Sequence, residues 1–528
     1  MLRAWAGAIV MALGAAPAAA QDLAMASAAE QQAALAAGTA SSRSLAEAYL
    51  RRIGEIDRAG PRLNSVLSLN PDALKDAAAR DAERRAGRAK GPLHGLSILV
   101  KDNIETADRM PTTAGSLALK DNVTGRDAPL VARLRRAGVV ILGKSNLSEW
   151  ANFRSTRSIS GWSGLGGLTR NPHALDRSAC GSSSGSGAAV AAGLAWAAIG
   201  TETDGSVTCP AAMNGIVGLK PTVGLVSRTH VVPISASQDT AGPMARTVAD
   251  AALLLTAMAG TDPADPATAE ADAHAADFAA GLEPGSLKGA RLGVVRYLAG
   301  RSPQTEALFD RALEALKSAG AVLVEVELPD ETPVDEAERI ILGAEFKAGV
   351  DAYLATTPPQ VKTRSLADLI AFNAAEPRET VLFGQEVFEQ AAGAPGLTDP
   401  TYLQALDSGR RLAGPEGLDR VLAAAGVEAL VAPSGGPASV VDPVNGGRWL
   451  GSPSTWPAVA GYPHLTVPMG AVSGLPVGLS FIGPKWSDGR LLSLGYAFEQ
   501  ATQARVTPSF APSISLRPEI AAAYAPKD

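Results

Sequence analysis

Two hydrophobic rhythms run along the chain, and the change from one to the other organises it. Between residues 44 and 56, Leu45, Tyr49, Ile53 and Ile56 recur at the spacing of one helix face. Residues 71–88 read as a second, strongly charged helix, and the Ala- and Gln-rich stretch 21–40 as a loose lead-in or a short first helix. The pattern then becomes short apolar runs alternating with helical segments. Strands are predicted over 96–100 and 139–142, and helices over 129–137 and 188–195. Further apolar runs at 291–296, 321–326, 429–432, 464–467 and 478–482 continue the alternation. Strands interleaved with helices of this length predict an α/β fold, a sheet covered by helices on both faces.

Two stretches interrupt that rhythm. Residues 262–285 are rich in Ala, Asp and Pro and predict an exposed insertion. Residues 330–430 are mainly helical, with loops at Pro358-Pro359 and over 393–400. Because strands return afterwards, this segment reads as a cap-like region beside the sheet. Residues 21–528 therefore read as one domain: a core over about 70–260, the cap-like segment over about 262–430, and closing strands and a helix over about 430–512.

Composition changes the picture in three places. With 46% hydrophobic and 19% charged residues, the 528-residue chain can bury a large core. Its net charge of −6 argues against nucleic acid or an anionic membrane as a partner. The first twenty residues, with Arg3, an apolar run over 6–16 and Ala18-Ala19-Ala20 before Gln21, have the pattern of a secretory signal peptide. That predicts an exported protein, periplasmic or secreted, with no membrane attachment after cleavage. Cys180 and Cys209 are the only cysteines; two small buried thiols are the favoured reading over a disulfide. The spacings of zinc or redox sites are absent, so no metal is expected.

The chemistry concentrates in two glycine-rich turns. One is Ala179-Cys180-Gly181-Ser182-Ser183-Ser184-Gly185-Ser186-Gly187, the other Gly200-Thr201-Glu202-Thr203-Asp204-Gly205-Ser206. Upstream, Lys101 closes the apolar run 96–100. A serine is a weak nucleophile until its proton is taken, and a buried, neutral lysine is a base able to take it. Burial disfavours the charged amine and lowers its pKa. Lys101, Ser182 and Ser206 thus form a candidate catalytic set for opening an amide, with no histidine in it. Ser206 is the candidate nucleophile. Gly205 permits a turn in which the backbone N–H groups of Thr203, Asp204, Gly205 and Ser206 converge on a developing oxyanion.

These residues resemble the amidase signature family. The resemblance is carried by the two turns, by Val100-Lys101-Asp102-Asn103, by Gly218-Leu219-Lys220-Pro221-Thr222 and by Asp239-Thr240-Ala241-Gly242-Pro243. It implies a large mixed central sheet and hydrolysis of linear carboxamides through an acyl-enzyme. Lys101 would act as base, and Ser182, after a cis peptide bond, as proton relay. No cofactor and no obligate protein partner are implied. Where many members carry a second glycine this chain has Asp204, and that variant, with Trp150-Ala151-Asn152-Phe153-Arg154-Ser155, resembles the bacterial peptide amidases. C-terminal peptide amides are thus the favoured substrates, with simple aliphatic or aryl amides as the alternative. Asp204, Trp162 and Ser183 are candidate substrate contacts, Ser183 and Ser184 also serving as loop support, and the substrate walls are expected from 150–162, the cap-like region and 451–456.

A distant rival reads Gly181-Ser182-Ser183-Ser184-Gly185 as an α/β-hydrolase elbow, an esterase with Ser183 as nucleophile and His230, His274 or His464 as base. The elbow needs a strand directly before it, and 170–178, with Pro172, does not read as one. One component of a transamidating complex would share the fold and the three residues, but the export signal argues against it.

Overall fold

A computed structural model describes residues 23–298, 302–446 and 451–526, so the export signal expected at 1–20 lies outside the described residues. Among the described residues thirteen strands are formed: β1 (Val66–Leu69), β2 (Ser97–Lys101), β3 (Val140–Ser145), β4 (Trp162–Ser163), β5 (Gly167–Leu168), β6 (Ala197–Glu202), β7 (Val217–Lys220), β8 (Thr240–Ala245), β9 (Arg291–Val294), β10 (Val322–Glu325), β11 (Ala429–Pro433), β12 (His464–Val472) and β13 (Leu475–Ile482). Eleven of them make one sheet in the order β1-β3-β2-β6-β8-β7-β12-β13-β11-β9-β10, while β4 and β5 pair separately. The sheet is mixed. β2 runs parallel to β3 and β6, and β9 parallel to β10 and β11; the ladders between β6 and β13 are antiparallel. Every residue of β2, β3, β6, β7, β8, β11 and β13 is buried. Since successive side chains point to opposite faces, such strands are covered on both sides, as the α/β reading expects.

Local chemistry explains the helices that frame the site. Helix Ser42–Arg52 starts on a reciprocal cap between Ser41 and Ser44 and buries Leu45 and Tyr49. Helix Pro129–Arg136 opens with proline, whose missing N–H would be unpaired there anyway, and buries Leu130, Val131 and Leu134. Helix Ser184–Ala191 begins four residues earlier than its apolar run suggests, because the Gly/Ser stretch itself is helical and wholly buried. A Cβ on Gly185 would collide with the Ser65 carbonyl oxygen and with the Asn146 backbone, so only glycine lets this helix approach so closely.

The sequence pattern misses β1, β6, β7 and β8 of the main sheet and the short pair β4 and β5. β6 is Ala-Ala-Ile-Gly-Thr-Glu, buried on both faces and poor in large β-branched residues, so it shows no alternation. The 262–285 stretch is not simply exposed: Asp265, Thr268, Ala271 and Phe278 are buried. Arg228 pairs with Asp265 at 2.5 Å and fastens the stretch to the core. Within 330–430 the helices Thr332–Ala355, Leu366–Ala375, Pro377–Thr380, Glu386–Ala392, Pro400–Ala413 and Arg420–Ala425 follow one another.

Candidate active site

Lys101 is the last residue of β2, which runs beside β6 with Val100 opposite Ile199. Parallel strands deliver their C-terminal ends to one edge of a sheet, so Lys101 meets the C-terminal end of β6 and, beside it, the turn that leads into helix Ser184–Ala191. There its fully buried Nζ donates to Ser182 Oγ at 2.7 Å, to Thr201 Oγ1 at 2.8 Å and to Thr201 O at 3.2 Å. Asn103 Nδ2 donates to the same Thr201 hydroxyl at 3.0 Å and fixes it. Burial brings the Lys101 ammonium down to about 7, against the opposing pull of Asp239 and Glu202. A substantial neutral fraction at physiological pH follows, and a neutral amine in contact with a hydroxyl is a working base.

Ser182 follows a cis Gly181–Ser182 peptide bond. Its carbonyl accepts from Ser148 N at 3.0 Å, and Ser183 N donates to Ser206 O at 3.1 Å, joining the two serine turns. They are joined a second time by a Cys180–Cys209 disulfide with Cα atoms 6.0 Å apart. This corrects the expectation of two separate thiols. Each cysteine lies within three residues of one of the two serines, and once those turns converge the Cα separation falls within bridging range.

The turn carrying Ser206 is organised from beneath by Glu202. Its Oε2 accepts from Val207 N at 2.6 Å and from Thr208 N at 2.9 Å. Gly205 adopts φ +73°, and its carbonyl accepts from Cys209 N at 2.8 Å. Thr203 Oγ1 donates to Asp239 Oδ1 at 2.5 Å, and Asp239 Oδ2 accepts from the Ile234 and Ser235 amides at 2.8 and 2.9 Å. Among the described residues, the backbone N–H groups of Asp204, Gly205 and Ser206 donate to no protein acceptor. They remain open to an incoming oxygen. Ser206 itself is 8% exposed, at the floor of the site.

The three candidate substrate contacts fare differently. Asp204 Oδ2 accepts from Thr455 Oγ1 at 3.0 Å, within the 451–456 region expected as a wall, and burial raises its carboxyl. Ser183 Oγ is consumed by the loop: it donates to Thr201 O at 3.1 Å and accepts from Thr201 N at 3.2 Å. Trp162 packs edge-on against Phe383, centroids 5.2 Å apart, with Arg154 5.4 Å from its ring. The cavity it borders, about 320 Å³ with Ile159, Leu168 and Leu382, includes no residue of the nucleophile turn. His464 is fully buried on β12, its Nε2 paired with Ser480 Oγ at 2.7 Å, and burial lowers it to about 3. Ser183 and His464 are each engaged elsewhere, His230 lies beside Glu105 and His274 stacks on Trp486, so among the described residues no histidine pairs with Ser183 as the esterase reading requires.

The Amidase family's profile matches residues 44–492. The chain belongs to this family. This amidase is a hydrolase acting on amides, with the large mixed sheet of its relatives. It is similar to the peptide amidase of Stenotrophomonas maltophilia, with 55% identity, a TM-score of 0.88, and coverage of 93% of this chain and 99% of that one. An amidase family protein from Bacillus anthracis is 36% identical, with a TM-score of 0.85 and 93% of each chain covered. A probable amidase from Arabidopsis thaliana is 40% identical over 484 residues, 89% of this chain and 88% of that protein.

Sequence reasoning gave no role to Thr201, Glu202 or Asp239. All three stand inside the quoted motifs, so their positions were visible. Their tasks were not, because a carboxylate that orders a turn looks like any other acid until its amide partners are located.

Proposed function

We propose that the amidase removes ammonia from C-terminally amidated peptides, with Ser206 as nucleophile, Ser182 as relay and Lys101 as base. The carrying observation is the buried 2.7 Å contact between Lys101 Nζ and Ser182 Oγ, beside the turn that holds Ser206. Neutral Lys101 takes the Ser182 proton while Ser182 takes that of Ser206, whose oxygen bonds to the amide carbon. Backbone N–H groups from Thr203 to Ser206 hold the oxyanion. Ser182 then gives a proton to the departing nitrogen, the carbon–nitrogen bond breaks, and water opens the acyl-enzyme by the reverse route.

Two features support the peptide-amide substrate: the 55% identity to a peptide amidase over nearly its whole length, and Asp204 in the nucleophile turn, the variant by which this sequence resembles the bacterial peptide amidases. The test is ammonia release from an amidated dipeptide by wild type, Lys101→Ala, Ser182→Ala and Ser206→Ala. A loss of about 1,000-fold or more in each variant is expected, because members of such a set act as a unit. Full activity in Ser206→Ala would remove the nucleophile from the scheme. Turnover of aliphatic or aryl amides alone would keep the mechanism and discard the substrate. We also propose that the protein works after export, in the periplasm or outside the cell. The Cys180–Cys209 disulfide supports this, since such bonds persist in oxidising compartments.

A further inference from the structure

The departing nitrogen comes free beside Ser182, the group that protonates it, because a proton donor must stand within hydrogen-bond reach of the atom it serves. Ser182 Oγ is 2.7 Å from Lys101 Nζ, and Lys101 Nζ is 2.8 Å from Thr201 Oγ1, so the nitrogen is set free two hydrogen bonds from Thr201. At that moment the acyl chain is still bonded to Ser206 at the floor of the site and covers the way back to the open face. Thr201, Thr203 and Asn103 border a small cavity. It leaves about 10 Å³ for the centre of a water-sized molecule, the room of one water or one ammonia.

The wall of this cavity carries unpaired hydrogen-bonding groups of both kinds. The Thr201 hydroxyl accepts from Lys101 at 2.8 Å and from Asn103 Nδ2 at 3.0 Å, which fills its lone pairs. Its own proton goes to no protein acceptor among the described residues, although Thr201 is only 7% exposed. Asn103, 3% exposed, keeps a buried Oδ1 that no protein donor reaches. One unpaired donor and one unpaired acceptor suit a molecule with both a lone pair and N–H or O–H groups. Arg228, Val231 and Asp239 border this cavity and also a second one, of about 220 Å³, which reaches the exposed residues Ala236 and Ala264. The neck they form is fixed. Arg228 is held by Asp265 and by the Ala236 carbonyl, and each Asp239 oxygen already accepts, from Thr203 or from the Ile234 and Ser235 amides. Thr201, the neck and the surface thus follow one another.

We propose that the two cavities form an exit path for ammonia, separate from the face through which the amide enters. The inference rests on ammonia being the product, as in the function proposed above. If an amidated dipeptide is not turned over, a simple primary carboxamide replaces it, so failure of the peptide reading leaves the test standing. A path by which ammonia leaves is also one by which it returns. On return its nitrogen bonds to the acyl carbon, the ester bond to Ser206 breaks, and the proton lost by nitrogen reaches Ser206 through Ser182. Wild type, Val231→Ile and Ala236→Trp are each given substrate with isotopically labelled ammonia, or with methylamine. Label in the recovered amide, or N-methyl amide, is measured per acid formed. Val231→Ile adds a methylene at the neck, and Ala236→Trp covers the mouth. Incorporation of labelled ammonia should fall about tenfold in both variants. Methylamine is too large for the neck and reaches the acyl-enzyme from the open face, so its transfer should not change. An equal fall for both amines, an unchanged ammonia ratio, or no incorporation in wild type overturns the path. If Val231→Ile does not fold, Ala236→Trp decides alone on the same outcomes.

Discussion

At the scale of single residues, the decisive property is the proton affinity of Lys101. The amine falls from its ordinary value to about 7 because burial removes its hydration, while the negative charges of Asp239 and Glu202 partly restore it. The neutral form is the active one, so kcat/KM should climb with pH through an acid limb near 7 and level off above it. Asp239, itself raised to about 6 by burial, is mostly ionised at pH 7. Replacing it by Asn deletes a charge that favours the lysinium, so Lys101 loses its proton more readily. The Asp239→Asn limb is therefore expected at lower pH than that of wild type. A pH–rate profile for the two proteins decides the point, and a limb that stays in place or moves upward would count against Lys101 as its origin.

At the scale of an element, the nucleophile turn works through its backbone. Gly205 holds φ +73°, a region that an L side chain enters only with strain, and a Cβ there would stand 3.0 Å from Ser454 Oγ. Gly205→Ala should cost about 1–2 kcal/mol of stability. It should also misaim the N–H groups, with a fall in kcat of roughly 100-fold and little change in KM, the loss typical of one missing oxyanion donor. Steady-state kinetics beside a thermal melt would test this; wild-type kcat in the alanine variant would show that these donors do not hold the oxyanion. The turn also shows how far a motif reads. Its glycine and serine are plain in the sequence, but Glu202 as the clamp on the Val207 and Thr208 amides emerges only when the chain doubles back.

At the scale of the whole molecule, a buried ionic trio ties helix Pro377–Thr380 to the core beside the site. Arg154 Nη1 meets Glu149 Oε1 at 2.8 Å and Glu379 Oε2 at 3.4 Å, all three side chains within about 1% of complete burial. Glu149 also accepts from Gly164 N and Glu379 from Leu117 N, so the trio spans three loops and the helix. Arg154→Met would strand two carboxylates in a dry interior, at a cost of about 3–5 kcal/mol. Glu149 is already raised by burial, and losing the guanidinium raises it further. A carboxyl whose folded pKa lies above its unfolded one weakens the fold increasingly as pH rises. The melting deficit of Arg154→Met should thus be larger at pH 8 than at pH 5; equal deficits would mean that the charges carry no share of it.

What the sequence determined by itself was the chemistry and the class of fold. Lys101, Ser182 and Ser206 were legible because reactive residue types stood in or beside glycine-rich turns, within several ordered blocks that together resemble the amidase signature family, and such local patterns survive without coordinates. Alternating rhythms likewise announced the α/β architecture. The tertiary structure alone decided which distant residues meet. It paired Cys180 with Cys209, drew Ser183 into the backbone of Thr201 and turned Trp162 toward Arg154 and Phe383. It also set Glu338, more than 100 positions downstream of Ser206, beside Gln238. Pairings of this kind depend on sheet order and on close approach through glycine, which no local spacing of residues encodes.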